Sequence, residues 1–309
     1  MIIATFLLFL IHTNAFSRPN KTVNFKGETY IDADFDECMG KNSIEHWALN
    51  IGFLDYAKCT YPEHPLLLYK KLKNMYKAYS LSNRYDCHDL SKPKIPKIIH
   101  QFWIGSPVPE KYKQWIESWK KHHPEWEHKL WTDKEVKELK LFNQELFNSL
   151  DNYGHKVDVL TYEVLYQFGG VYIDIDFECL KPLDIFHYCY DFYTGIQPLD
   201  ITCLALGHGI IGAKKEHPII KECMEFQKYN DASQNYEKVG PVAFTKAFYS
   251  AIQRYEGPVI AFPSSYFYPL GVKQRFFEDK FKKETIRPES IAIHYWEGSW
   301  QNPEAEVKK

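Results

Sequence analysis

The spacing of hydrophobic and polar positions divides the chain into an apolar start, a helical stretch and a longer mixed part. Between Ser43 and Asn83, apolar residues recur at helical spacing. After a stretch rich in Pro, Lys and Asp at Asp86–Lys97, short apolar runs alternate with amphipathic segments. We therefore predict a mainly helical N-terminal extension over residues 16–94, followed by an α/β domain over residues 95–309.

The apolar start is typical of a secretory signal. Residues 2–11 are almost all apolar, and the small residues Thr13-Asn14-Ala15 precede a polar segment, which predicts cleavage after Ala15. The run is about half of the roughly 20 residues that cross a bilayer, so we expect no stable membrane span. We predict a signal peptide over residues 1–15. A short signal anchor and a buried first strand are the alternatives, since no Lys or Arg precedes the run.

The mixed part predicts alternating strands and helices. Strands are expected at Lys97–Trp103 and Trp126–Trp131, and Asp133 is a candidate N-cap for a following helix. A helix from about Lys156 to Gln167 ends at Gly169-Gly170. The helix between the first two strands carries an apolar stripe at i, i+3, i+4 and i+7, made of Tyr112, Trp115, Ile116 and Trp119.

Two carboxylates follow each other on the next predicted strand, residues 171–176. Because strand side chains alternate, Tyr172, Asp174 and Asp176 are expected on one face and the intervening apolar residues on the other. Two such carboxylates repel each other unless a cation or a proton lies between them. Mg²⁺ and Mn²⁺ prefer oxygen ligands, and a diphosphate would complete the coordination shell.

Four motifs in order give these carboxylates a context: Ile95–Trp103, Asp158 with Tyr162–Tyr166, Gly169–Asp176 and His294–Trp300. Together they resemble the DXD sugar-binding family of glycosyltransferases, which includes the yeast-type mannosyltransferases of the Golgi and is related to the glucosylating toxins of clostridia. The resemblance covers about two thirds of the chain. It implies a GT-A type, Rossmann-like mixed sheet flanked by helices, which binds a nucleotide sugar.

The resemblance also implies an activity: transfer of a hexose-type sugar, with retention at the anomeric carbon, from a nucleotide-sugar donor to a glycan, lipid or protein acceptor. A UDP-sugar is the favoured donor, and GDP-mannose is possible. Mn²⁺ or Mg²⁺ would stabilise the charge that develops on the leaving diphosphate. No second carboxylate placed as a sugar nucleophile is identifiable, so front-face displacement is the preferred mechanism.

Site residues follow from the motifs. The resemblance assigns catalytic roles to Asp158, Asp174 and Asp176. It assigns donor binding to Trp103, which would stack on the base, and further to Asp158, Thr161, Tyr172, Asp174, His208, Ser299 and Trp300. It assigns the metal to Asp174 and Asp176 together with His294 or Glu297, a choice that the sequence leaves open.

Four further features give less specific information about the site. At Thr161, relatives usually carry an Arg that pairs with the helix Asp and binds donor hydroxyls. The Thr predicts altered donor choice, weaker donor binding or an inactive relative. His208 lies in a Gly-rich segment where the family has a loop near the donor sugar, so it either contacts the sugar or is solvated. Gly240-Pro241 begins a helix near the acceptor side or simply a Pro-initiated core helix. Ser264–Pro269 is expected to be a loop whose rings line the site or pack beneath it.

Composition narrows the partners. Of 309 residues 17% are aromatic, which suits both stacking on sugars and bases and ordinary core packing. The formal net charge is -2, so the whole chain shows no electrostatic signature for nucleic acid or an acidic membrane surface. Seven cysteines fit an oxidising compartment. One bridge is possible among Cys38, Cys59 and Cys87, whereas Cys179, Cys189, Cys203 and Cys223 are expected in the core.

Two alternatives compete with the transferase hypothesis. The first is a catalytically impaired relative that binds nucleotide and metal only, supported by Thr161. The second is a metal-dependent phosphodiester hydrolase using Asp174, Asp176 and His294, which lacks the extra ligands of a two-metal site. The predicted location is the secretory route: the Golgi lumen in a eukaryote, or secretion or export into a host by a microbe.

Overall fold

The computed structural model describes residues 20–40, 65–85, 91–198, 204–230 and 238–299. The predicted signal peptide lies outside the described residues. The N-terminal part forms a hairpin of β1 (Lys21–Phe25) and β2 (Glu28–Asp32), then helices α1 (Phe35–Met39), α2 (Pro65–Tyr79) and α3 (Leu81–Tyr85). The sequence predicted helices in this part, but its pattern did not reveal the hairpin.

The N-terminal part shares the core of the rest of the molecule. Tyr76 of α2 is 3% exposed, and its hydroxyl contacts the Tyr266 hydroxyl at 2.8 Å. The Tyr266 hydroxyl in turn donates to the Ile31 carbonyl at 2.7 Å. Buried polar contacts of this kind hold their elements in one arrangement, because breaking one strands its partner away from water. The extension is therefore packed onto the α/β domain.

The α/β domain contains the remaining elements. Its strands are β3 (Ile98–Phe102), β4 (Glu127–Trp131), β5 (Gly170–Ile173), β6 (Phe177–Cys179), β7 (Phe192–Ile196), β8 (Leu206–Ala213), β9 (Val259–Phe262) and β10 (Ala292–His294). Its helices are α4 (Glu110–His122), α5 (Asp133–Val136), α6 (Gln144–Ser149), α7 (Tyr153–Phe168), α8 (Asp184–Cys189), α9 (Pro218–Tyr229), α10 (Pro241–Ala251) and α11 (Asp279–Lys283). Short 3₁₀ turns lie at Ser264–Tyr266 and Val272–Phe276.

Six strands form one mixed sheet in the order β4-β3-β5-β8-β7-β9. β3 is parallel to both β4 and β5, whereas β8 runs antiparallel to its neighbours β5 and β7, and β9 is parallel to β7. A separate antiparallel pair joins β10 to β6. The predicted α/β class, a mixed sheet flanked by helices, is confirmed. Helical crossovers between parallel strands account for the alternating hydrophobic texture.

Several local predictions are confirmed by this arrangement. Helix α7 ends at Gly169, whose φ of 66° is followed by a φ of 105° at Gly170, which are backbone angles that glycine adopts without strain. The stripe on α4 is buried at Tyr112, Trp115, Ile116 and Trp119. Pro241 opens α10, and the helix buries Phe244 and Phe248 in the core, as the plain structural alternative predicted.

Two predicted element ends are wrong. The helix after β4 is capped by Thr132, not Asp133: Thr132 and Glu135 form a reciprocal capping box, and Asp133 is the first helical residue. The Asp133 carboxylate instead accepts from the Gly105 N–H at 2.8 Å. The carboxylate strand β5 ends at Ile173, three residues earlier than predicted, because the chain turns at the first carboxylate.

The cysteines and the helix lengths test two further predictions from the sequence. Among the described residues, Cys38, Cys179, Cys189 and Cys223 are free and buried, so the prediction of core thiols is confirmed for three of them. Cys59, Cys87 and Cys203 lie outside the described residues. Within the described ranges, every helix is too short or too polar to cross a membrane.

Candidate functional site

The site begins where two parallel strands end side by side. Trp103 follows β3 and Asp174 follows β5, so both lie at the carboxyl edge of the sheet, where open α/β sheets bind ligands. The antiparallel register of β8 then brings Gly209 next to the end of β5, and the Asp174 N–H donates to the Gly209 carbonyl at 2.8 Å. Strand pairing therefore fixes where the first carboxylate stands.

The second carboxylate lies in a turn and not on the strand. The Phe177 N–H donates to the Asp174 carbonyl at 3.2 Å, which closes a turn over Ile175 and Asp176. The prediction that Asp174 and Asp176 alternate along one strand face is therefore wrong. They still converge, because the Asp176 carboxylate accepts from His294 Nε2 at 3.0 Å and from the Glu297 N–H at 2.9 Å.

Asp174, Asp176 and His294 together form the candidate metal centre. One ligand atom from each of the three lies within 4.8 Å of the others. His294 Nε2 is 3.8 Å from the Asp174 carboxylate, and the β6–β10 register places His294 opposite Phe177, whose ring stacks on the imidazole at 4.4 Å. Two carboxylates and an imidazole are a donor set that suits Mn²⁺.

The three groups carry opposed charges. Burial raises the pKa of Asp174 to about 6, and the neighbouring Asp176 adds to the shift. Burial also disfavours charge on Asp176, but His294 and the Glu297 N–H outweigh it and lower the pKa of Asp176. Burial lowers the pKa of His294, yet Asp176 raises it overall. Without a metal, Asp176 and His294 are thus an ion pair, and Asp174 takes up a proton near pH 6.

The structure separates His294 from Glu297, which the sequence left as alternatives. The Glu297 side chain is directed to Lys111, with its carboxylate 3.0 Å from the ammonium, and only the backbone of Glu297 reaches the carboxylates. The His294 imidazole faces them directly. Its Nδ1 is buried without a partner among the described residues, so one buried polar atom beside the centre awaits a hydrogen bond.

Asp158 and His208 form a second buried pair beside the metal centre. Asp158 lies on α7, and its carboxylate is 3.1 Å from His208 Nδ1. His208 is on strand β8, not in a loop, so the prediction of a loop there is wrong, and its side chain is 7% exposed. Burial lowers the pKa of His208 to about 3, and burial followed by the charge of Asp174 raises the pKa of Asp158. Both shifts favour the uncharged forms of the two side chains.

The His208 ring is enclosed by aromatic side chains. Tyr162, Tyr172 and Phe244 meet it edge to face at 5.2, 6.0 and 5.8 Å. The second ring nitrogen, Nε2, is buried and has no partner in the described part of the chain. A buried unpartnered nitrogen costs free energy unless a ligand or water satisfies it, so His208 Nε2 is a candidate contact for a bound molecule.

Thr161 makes no contact that could replace an arginine. It is fully buried on α7, and its hydroxyl donates to the Val157 carbonyl of the same helix at 2.8 Å. Among the described residues, no Lys or Arg forms an ion pair with Asp158. His208 occupies the position of a partner, with its Nδ1 3.1 Å from the Asp158 carboxylate. Thr161 and His208 therefore bear on the same group, the Asp158 carboxyl.

Aromatic residues frame the centre. The Tyr172 hydroxyl donates to the Asp174 carboxylate. Trp103 packs against Tyr112 with ring centroids 4.9 Å apart, and its indole N–H donates to the Ser106 hydroxyl at 3.0 Å. Trp296 contacts the His294 ring at 4.1 Å. Ser299 is half-buried, and the predicted Trp300 lies outside the described residues.

One contributor was missed from the sequence, and one was included only as part of the segment Ser264–Pro269. Gly209 faces Asp174 so closely that a Cβ added there would stand 2.7 Å from its carboxylate; the Gly-x-Gly spacing on a strand is the signal that could have found it. Tyr268 is fully buried against His294 at 5.6 Å. Of the predicted aromatic segment, only Tyr268 approaches the centre, since Tyr266 points to the N-terminal part.

An open depression of about 710 Å³ lies beside Trp103, at the ends of β3 and β4. It is lined by Ser106, Pro107, Val108, Thr132, Asp133, Lys134, Lys137 and Glu138. The carboxylate centre is not part of its wall. The carboxyl edge of the sheet therefore carries two areas: the open depression and, outside its wall, the charged candidate metal centre.

Comparison with known families matches both halves of the site. Residues 109–192 match the model described as a glycosyltransferase sugar-binding region containing a DXD motif, and this segment includes Asp158, Asp174 and Asp176. Residues 212–309 match the model of an alpha 1,4-glycosyltransferase conserved region, which includes His294. The resemblance stated from the motifs is confirmed.

Relatives match over part of their length. Inositol phosphoceramide mannosyltransferase 1 of Schizosaccharomyces pombe is 36% identical over 34% of this chain and 36% of its own. An uncharacterized glycosyltransferase of Acanthamoeba polyphaga mimivirus is 28% identical over 52% of this chain and 66% of its own. The solved PaToxG Glycosyltransferase is 21% identical, with a TM-score of 0.41, over 60% of this chain and 79% of that one. The chain thus spans about a third of the mannosyltransferase that it matches.

Proposed function

We propose that the chain is a metal-dependent, retaining hexosyltransferase acting on a nucleotide sugar, because residues 109–192 match a glycosyltransferase sugar-binding region that contains a DXD motif. The observation that carries the proposal is the convergence of Asp174, Asp176 and His294, with ligand atoms within 4.8 Å. The residues fit a divalent cation, because a partly exposed carboxylate, a buried carboxylate and a buried imidazole supply three hard or borderline ligands in one place.

The protein's own groups divide the work. Asp174, Asp176 and His294 would hold the cation, and the hydrogen bond from the Glu297 N–H favours the ionised form of Asp176 that a cation requires. A bound divalent cation stabilises the negative charge that develops on the leaving diphosphate. The Tyr172 hydroxyl orients the Asp174 carboxylate through a direct hydrogen bond, which reduces the freedom of that ligand.

The donor sugar is held by the buried pair. The Asp158 carboxyl and the unpartnered His208 Nε2 lie beside Asp174, where hydroxyl groups of a hexose would satisfy them. Trp103 offers a half-buried indole at the same edge of the sheet for stacking on the base, next to the open depression. Ser299 and Trp300 end the last motif and are proposed to cover the diphosphate. Retention by front-face displacement rests on the family resemblance.

The proposal names the donor and the acceptor by chemical class. We favour a UDP-sugar and keep GDP-mannose as the second donor, because the matched relatives include mannosyltransferases. The acceptor is a glycan, a lipid or a protein side chain; the relatives named for inositol phosphoceramide support the lipid class. Residues 2–11 support a secretory route, Golgi or exported, in which the donor is supplied by that lumen or by a host.

Donor hydrolysis is the test that needs no acceptor. The full chain is incubated with Mn²⁺ and each of several UDP- and GDP-sugars, and release of the nucleoside diphosphate is followed. We expect turnover of one donor, its loss on chelation, and a loss of about 10²-fold or more in the Asp174→Asn, Asp176→Asn double variant. Wild-type turnover in that variant would remove the metal centre from the mechanism.

A second candidate is a relative that binds metal and nucleotide without turnover. Thr161 favours it, because its hydroxyl is engaged by the Val157 carbonyl and supplies no charge to Asp158. Calorimetric binding of Mn²⁺ and nucleotide sugar without product release by any donor would establish this candidate. Release of product would exclude it. The phosphodiesterase alternative loses ground, since the described residues contain one candidate metal cluster and a two-metal site needs more ligands.

A further inference from the structure

An exposed aromatic and basic segment lies outside the site. Phe276, Phe277 and Phe281 are 78%, 50% and 43% exposed. In the described part of the chain, eight large hydrophobic side chains are exposed, and three of them fall within these six positions. Scattered exposed rings are normal on a soluble protein, but several together mark an interaction surface.

Basic residues surround these rings. Residues 273–287 contain six Lys or Arg and three Asp or Glu, a net charge of +3 in a chain whose total is -2. The Arg275 guanidinium lies 4.6 Å from the Phe276 ring, and the Lys280 ammonium lies 4.6 Å from the Phe281 ring. Rings flanked by long cationic side chains are suited to the boundary between lipid headgroups and acyl chains.

The chemistry favours a bilayer over a protein partner. Protein interfaces are depleted in lysine at their centre, because each buried ammonium must be desolvated. At an acidic bilayer the ammonium groups remain in water among the headgroup charges while the rings enter the boundary. Lys280 and Lys283 lie within one turn of Phe281, which is a pattern for a membrane surface, whereas the Lys282 ammonium is directed to Asp279.

The segment contacts residues that lie close to the candidate site. The Trp296 indole N–H donates to the Leu270 carbonyl at 2.8 Å, just before the segment begins. The Lys282 ammonium lies over the Tyr295 ring at 5.8 Å, and Ile286 packs against the same apolar cluster as Trp103. A surface that binds this segment therefore lies close to the candidate site.

We propose that the aromatic and basic segment, residues 272–287, is a docking surface for an acidic lipid bilayer. Phe276, Phe277 and Phe281 enter the headgroup boundary, and the surrounding Lys and Arg side chains attract the anionic lipids. The balanced charge of the whole chain concealed this local surface. The proposal concerns attachment only, so it holds or fails independently of the transferase activity.

Vesicle flotation of the full chain tests the proposal. Binding is compared between vesicles of phosphatidylcholine alone and vesicles that also contain phosphatidylserine, at low and high salt. Residues 2–11 also favour lipid, but they carry no Lys or Arg, so the diagnostic quantity is the increment produced by phosphatidylserine. We expect this increment in the wild-type chain and its loss at high salt.

Two variants with matched controls locate the surface. Phe276→Ser with Phe281→Ser should lower the phosphatidylserine-dependent partition about tenfold, and Lys280→Gln with Lys283→Gln should lower it by roughly fivefold or more. Tyr229→Ser, at a residue 74% exposed elsewhere, and Lys113→Gln with Lys120→Gln on α4 should leave it unchanged. These positions are exposed, so all variants should melt at the wild-type temperature.

Three results would overturn the proposal. The first is equal binding of the wild-type chain to both kinds of vesicle. The second is an equal phosphatidylserine increment in the Phe276→Ser, Phe281→Ser variant and the wild-type chain. The third is self-association of the wild-type chain in sedimentation experiments that the same variant abolishes while vesicle binding is unaffected, which would assign the surface to a second copy of the chain.

Discussion

Replacing Gly209 by alanine would perturb the candidate metal centre without changing any charge. A Cβ at Gly209 stands 2.7 Å from the Asp174 carboxylate oxygen and 2.9 Å from the Phe177 ring. An ordinary contact needs about 3.4 Å or more, so the carboxylate must move by roughly 0.7 Å. Metal ligands tolerate displacements of about 0.2 Å. We therefore expect Mn²⁺ affinity and donor turnover to fall by about 10- to 100-fold.

Titration calorimetry with Mn²⁺ measures this effect, with turnover as a second readout. The control is Gly212→Ala on the same strand β8, where a Cβ would stand 2.1 Å from the Tyr193 ring and not near the carboxylates. Both variants pay an overpacking cost of about 1–3 kcal/mol, so both should melt earlier. Only Gly209→Ala should lose metal. Unchanged Mn²⁺ affinity in folded Gly209→Ala, or an equal loss in Gly212→Ala, would refute the proposed centre.

Three further predictions concern titration and packing around the same carboxylates. Because the pKa of Asp174 is raised to about 6, a proton competes with the metal below that pH, and Mn²⁺ affinity should fall about tenfold per pH unit in calorimetry between pH 6 and 5; a flat profile would contradict this. The pKa of Asp158 is higher in the folded chain than its ordinary value of 3.8, so the folded chain binds this proton more tightly than the unfolded chain. Ionising Asp158 therefore lowers the free energy of unfolding as the pH rises above 3.8. Asp158→Asn should therefore melt later at pH 8 than the wild-type chain while turnover falls, and an earlier melting point would count against the buried charge. Thr161→Arg should lower the free energy of unfolding by about 1–3 kcal/mol in denaturant titration, since Thr161 is fully buried; an undiminished stability together with tighter donor binding would show that the helix has room for the Arg.

Local sequence signals predicted the elements that carry the site. The stripe on α4, the Gly169-Gly170 stop and the apolar run of β5 each depend on a few neighbouring residues, so periodicity and glycine chemistry suffice to find them. Trp103 and Asp174 follow two paired parallel strands, β3 and β5, so both lie at the same edge of the sheet.

The sequence did not reveal contacts that depend on distant strand pairing. The β5–β8 register brings Gly209 to Asp174, and the β6–β10 pairing brings His294 to Asp176 across 118 positions of the chain. The early end of β5 has the same origin, because the turn at Asp174 is stabilised by a carbonyl contact and not by a turn residue such as Gly or Pro. Side-chain alternation alone therefore placed Asp176 on a strand, whereas it lies in a turn after β5.

Under the proposed function, Thr161 in place of an arginine would change how Asp158 binds a donor hydroxyl. A charged guanidinium beside Asp158 would keep the carboxylate ionised and give strong, charge-assisted hydrogen bonds. Here a neutral His208 is the partner, and burial raises the pKa of Asp158, so the pair presents hydrogen bonds with little charge. Neutral hydrogen bonds are roughly half as strong as charge-assisted ones, which costs donor affinity. The charge of Asp174 also raises the pKa of Asp158, so the uncharged form of Asp158 relieves repulsion beside the candidate metal centre.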